Sequence, residues 1–89
     1  MEIEFDPLKD EANRKKHGIS LAAAADMDLS QAKVIEDRRF DYGEARFLAY
    51  APINGRLHVL YYTVRRQLIR PIGLRKANRR ERTRFEQSP

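Results

Sequence analysis

The chain has 89 residues, 18 of them Lys or Arg against 13 acids, and no Cys; that length fits one domain, 1–89, and the missing thiols exclude disulfide staples and thiolate metal sites. No run approaches the roughly 20 apolar residues of a membrane span, and the acidic opening is unlike a signal peptide, so a cytoplasmic protein with no membrane contact is expected. The net charge of +5 hides an asymmetry: residues 1–55 carry 8 basic and 11 acidic side chains, residues 56–89 carry 10 and 2, and eight of the nine cations from Arg65 to Arg84 are Arg.

Glu2–Phe5 reads as a short strand with Ile3 and Phe5 on one face. Asp6-Pro7 then opens a helix, because Asp6 can accept the free N–H groups of a first turn and Pro7 suits the first helical position. That helix is expected over Pro7–His17, a thin layer whose core contacts are Leu8 and Ala12. Gly18 fits the left-handed closing position, with His17 against the C-terminal dipole. Ser20 caps a second expected helix, Leu21 to Leu29, with Leu21, Ala24, Ala25 and Leu29 on one side. Lys33–Arg39 and Arg46–Ile53 are strand candidates around a turn-rich stretch at Gly43. Asn54-Gly55 is a strong hairpin signal, since a type I′ turn needs two residues that tolerate positive φ. Leu57–Val64 returns with both faces largely apolar, which suggests a central strand. A turn at Arg65-Arg66-Gln67 leads to a strand over Leu68–Leu74, where Pro71 and Gly73 require an edge position or a bulge. The chain closes in a helix from about Lys76 to Glu86, apolar only at Ala77 and Phe85. The fold class is α+β, two N-terminal helices and a C-terminal helix packed on an antiparallel β-meander.

Clustered like charge destabilises a compact domain and so tends to have a use. Arg in particular offers a fork of donors that matches phosphate oxygens, which makes nucleic acid the default partner. Leu8–Leu29 has helix-turn-helix spacing, but LAAAADMDL offers two acids and no Arg, Lys, Asn or Gln to read base edges. With two His, no Cys and no clustered carboxylates beyond Glu36-Asp37, no metal-ligand set and no cofactor site stand out, and no nucleophilic triad or phosphate loop is present. RNA needs none of these, because its own 2′-OH attacks the adjacent phosphate; a protein must orient the backbone, move protons and stabilise phosphoryl charge. His58 is the natural general acid–base residue, with buried strand packing as its bland alternative. Arg46 and Arg56 flank the same hairpin and are candidates to hold phosphate. Tyr62 shares a face with His58 and could stack on a base, although core packing explains both Tyr61 and Tyr62. Arg75 suits transition-state charge, and Arg70 or Arg65 backbone positioning. Lys76, Arg79, Arg80, Arg82 and Arg84 ride the last helix toward RNA backbone. A non-catalytic RNA-binding or ribosome-associated protein fits the same charge map, as does a module that docks an acidic protein.

The segments FDPLKDEANRKKHGISLAAA, VIEDRR, DYGEARF, INGRLHVLYYT and IRPIGLRKANRRERTRFE, in this order and spacing, resemble the BrnT family of toxins over nearly the whole chain. Phe85 stands where the family commonly carries Tyr, and IGLR after Pro71 where ISAR is usual. The resemblance implies a RelE-like fold and a ribonuclease of a type II toxin–antitoxin system that arrests translation. It also implies a tightly bound cognate antitoxin and contact with operator DNA only through the antitoxin complex; the density of exposed charge on the basic face makes that face the expected docking surface for such a partner.

Overall fold

The computed structural model describes residues 2–87. Asn54 and Gly55 take φ values of 49° and 78°, the paired left-handed positions of the expected hairpin turn. They join β2 (Arg46–Ile53) to β3 (Arg56–Arg65). β1 (Lys33–Asp37) and β4 (Leu68–Lys76) complete an antiparallel sheet in the order β1-β2-β3-β4, so β3 is internal, as its two apolar faces require. Helices α1 (Pro7–His17) and α2 (Arg79–Gln87) stand at the two ends of the chain.

Both faces of the sheet are covered, by different parts of the chain. On the first, Leu21, Ala24 and Met27 pack against Ala49, Ala51, Ile53, Leu60 and Leu74, with Ile3 and Phe5 at the margin. On the second, Leu48, Leu57, Val59 and Ala77 form a smaller cluster with Tyr50, Tyr61 and Phe85.

α1 is capped as its sequence requires. The Asp6 carboxylate accepts from Leu8 N–H at 2.8 Å, and Gly18 closes the far end at φ 72°. Its attachment is polar rather than apolar: Leu8 is exposed and Asn13 is its one buried residue. The Asn13 amide donates to the carbonyls of Leu74 (2.8 Å) and Ile19 (2.9 Å) and accepts from Leu74 N–H at 3.1 Å. A side chain thus takes the place of a neighbouring strand along the outer edge of β4.

Four expectations are corrected. The second N-terminal helix is not an α-helix but a 3₁₀ segment, Leu21–Asp26, followed by a separate turn at Leu29–Gln31. Three residues per turn line up Leu21, Ala24 and Met27 on the sheet, whereas an α-helix would have turned Ala25 and Leu29 inward. Ser20 caps the segment as expected, and Asp28 starts the second turn by accepting from Ser30 N–H. The strand at Glu2–Phe5 reduces to one parallel bridge, Ile3 to Ile69. β1 stops at Asp37 instead of Arg39, because Asp37 accepts from the Arg39 backbone N–H and pulls the chain out of the ladder. α2 begins at Arg79 rather than Lys76: Lys76 still pairs with His58 in β4, and Asn78 and Glu81 form a reciprocal cap, each side chain accepting the other's backbone N–H at 2.9 and 2.8 Å.

Candidate RNA-binding site

Where Pro71 and Gly73 call for a bulge, β4 has one. Tyr61 pairs with Gly73 and Tyr62 with Pro71, so Ile72 is the extra residue. The bulge re-aims the arginines of the strand: Arg70 faces Thr63 and Arg75 faces Val59, and Thr63 and Val59 lie on one side of β3. Five residues apart, Arg70 and Arg75 would otherwise point to opposite sides.

Arg75 is held at both ends of its guanidinium. It makes a two-pronged ion pair with Glu81, at 2.7 and 2.8 Å, and donates to the Tyr61 hydroxyl at 3.0 Å. Glu81 lies below its ordinary range, chiefly because Arg75 hydrogen-bonds its charged form. Arg75 and Tyr61 line a groove of about 410 Å³ with Ile72, Gly73 and, from α1, Lys9, Lys16 and His17. Three cations therefore face one cleft. His17 sits below the usual imidazole range, first through loss of water and then through the charges of Lys16 and Arg75. Its neutral form, which can accept a proton, persists to lower pH than that of an isolated imidazole.

A second groove, of about 130 Å³, shares Tyr61, Ile72 and Gly73 with the first and continues past Asp37, Arg39, Tyr42 and Arg46. Asp37 lies far below the carboxylate range through its hydrogen bonds with Arg39, and it also accepts from the Tyr42 hydroxyl at 3.0 Å. The Arg46 guanidinium stacks on the Tyr42 ring, 4.0 Å from the centroid.

The sequence-derived candidates are not all gathered here. Arg75 and Arg46 line the grooves. His58 does not: it is 4% exposed on the first face of the sheet, its Nδ1 donating to the Arg56 carbonyl at 2.6 Å, which is the buried-strand alternative. Arg46 and Arg56 do not share a site either. Arg56 pairs with Ile53 beside the hairpin while Arg46 pairs with Asp37, about 24 Å along β2. Arg70 pairs with Glu4 at 3.4 Å and Arg65 with Glu44 at 3.0 Å. Tyr62 stacks on Phe47 in the first face rather than on open space. Lys76, Arg79 and Arg80 are exposed and Arg82 is half-buried, but Lys76 pairs with His58 at the opposite end of β3 from Arg65, about 24 Å away, and the others follow it in α2. The late cations do not make one ridge.

Sequence reasoning missed His17, Glu81 and Asn13 as site-forming residues. Asn78-x-x-Glu81 is a readable capping signal. Asn13 gives none, since nothing in a helix of charged residues marks one amide as buried.

Among the described residues no helix is long and apolar enough to cross a membrane. No curated protein matches the chain closely enough to count as a relative. The family described as "Ribonuclease toxin, BrnT, of type II toxin-antitoxin system" matches residues 5–81, a span that takes in α1, the whole sheet and Glu81. The chain belongs to that family of ribonuclease toxins.

Proposed function

We propose that residues 1–89 form a single RelE-like ribonuclease domain in the cytoplasm, which cleaves RNA without a metal in the groove between α1 and β4 and so inhibits translation. A cognate antitoxin neutralises it, and operator DNA is met only through that complex. The observation that carries this reading is the convergence of Arg75, Lys9, Lys16 and a neutral-leaning His17 on one cleft floored by Tyr61.

The chemistry follows from those groups. The 2′-OH attacks the adjacent phosphorus and its proton passes to the His17 imidazole. Lys9, Lys16 and Arg75 face the phosphoryl oxygens on which charge builds, and Arg75 is already oriented by Glu81. Arg75 donates to the Tyr61 oxygen, which leaves the phenol hydrogen able to reach the departing 5′-oxygen. The P–O5′ bond breaks, giving a 2′,3′-cyclic phosphate on one fragment and a 5′-hydroxyl on the other.

Incubation of the purified protein with total RNA, with and without EDTA, tests the proposal. Fragments with cyclic-phosphate ends in both samples support it, and His17→Ala and Arg75→Ala should each lower the rate at least a hundredfold. RNA bound but left intact favours the non-catalytic RNA-binding protein instead.

A further inference from the structure

Arg46 is a cation without a counterpart. Its Nε is buried and lacks a hydrogen-bond partner, and among the described residues no carboxylate pairs with it. Asp37, its neighbour across the ladder, gives both oxygens to Arg39 and one also to Tyr42. Stacking on Tyr42 fixes the plane of the guanidinium but satisfies none of its donors. A dry N–H without an acceptor is costly, and a phosphate in the groove that drew the guanidinium toward it would relieve that cost while taking its outer nitrogens. A rigid, unpaired guanidinium fork is matched to phosphate.

The position of Arg46 says which phosphate. Its groove runs into the α1–β4 groove over Tyr61, Ile72 and Gly73, and Gly73 puts no side chain across the junction. Arg46 lies one residue before Phe47, which pairs with Tyr62, whereas Arg75 pairs with Val59 two strands away. The two backbones are therefore roughly 16 Å apart, from strand rise and spacing, several times the step of about 3.4 Å between stacked nucleotides.

Resting on the reading of the first groove as the place of cleavage, we propose that Arg46 clamps a second phosphate of the same single-stranded RNA. The strand crosses the edge of β4 over Gly73, and the substrate must be longer than a dinucleotide to fill both positions. Arg46 is then a positioning residue whose contribution appears only with longer RNA.

Oligoribonucleotides of two to eight nucleotides, with kcat and KM measured separately, test this. In the native protein kcat/KM should rise about tenfold with length, through KM, as a charge-assisted contact is gained. Arg46→Gln should lose that rise, and Arg46→Lys should recover part of it, because a point charge still meets phosphate. Gly73→Ala should also weaken it without a fall in melting temperature, since a Cβ at Gly73 meets Tyr61 at 3.7 Å and the Asn13 Oδ1 at 3.8 Å, ordinary contact distances. An unchanged rise in Arg46→Gln overturns the clamp and leaves the ribonuclease reading standing. If no RNA is cleaved at any length, the ribonuclease reading fails, and binding of the same lengths of 2′-O-methyl RNA decides the clamp alone. Equal affinities of native protein and Arg46→Gln at eight nucleotides overturn it; a tenfold loss confined to the longer strands upholds it.

Discussion

Asn13 is the residue on which the α1 wall of the groove depends. It satisfies both backbone groups of buried Leu74 and ties down Ile19. Asn13→Ala leaves those groups without partners, which costs about 2–4 kcal/mol, and at about 4–8 °C per kcal/mol for a domain of this size thermal denaturation should show a fall of more than 8 °C. His17 makes a different prediction. In the proposed mechanism its neutral form is the working one, so cleavage should fall as pH drops through its value, which lies below the ordinary 6.5. Removing the Lys16 charge makes protonation of His17 easier, so in Lys16→Met the acid limb of kcat/KM should move to higher pH. An unmoved limb would mean that another group takes the proton.

Elements were legible where one local rule governs them. Asp6-Pro7 and Gly18 bound α1, and Asn54-Gly55 made the first hairpin, each by backbone preference alone. The 3₁₀ segment was not legible, since Leu21, Ala24 and Met27 satisfy a period of three only once the sheet they cover is known. The bulge in β4 was half legible: Pro71 and Gly73 announce an irregularity, but which residue is extra depends on pairing with β3. The second hairpin is the exception to turn chemistry. Arg66 and Gln67 hold φ values of 52° and 67° with neither Gly nor Asn to relieve the strain. Gln67→Gly should therefore raise stability by roughly 1 kcal/mol, seen as a higher urea midpoint with an unchanged slope.

At the scale of the whole molecule, charge count was legible but charge placement was not. Arg65, Arg70 and Arg75 find Glu44, Glu4 and Glu81, and two of those acids lie in the acidic part of the sequence, out of reach of any local pattern. His58 was the natural choice by strand alternation and His17 was not, because only the docking of α1 beside β4 brings His17 to Arg75. The same long-range pairing sets the acid response. Asp10 is depressed first by the Leu21 backbone N–H, Asp37 by Arg39 and Glu81 by Arg75. Folded values below the ordinary 3.8 and 4.5 mean that this stabilisation is complete above those values and disappears as pH falls through the lower folded ones. Urea midpoints should slip slightly as pH falls below about 6.5, because folded His17 resists protonation, and decline more steeply below about pH 5 as the carboxylates protonate; Asp10→Asn should flatten the steeper part.

Glu81 joins two things that most folds keep apart. One of its oxygens closes the opening turn of α2 at Asn78, and the pair of them grips the Arg75 guanidinium. α2 itself contains no fully buried residue and is anchored to the sheet through Phe85. Fraying of that turn releases the guanidinium over Tyr61. On the proposed reading, the order of that turn and the presentation of Arg75 to a phosphate are linked, so a change made outside the cleft, at the start of α2, would be felt within it.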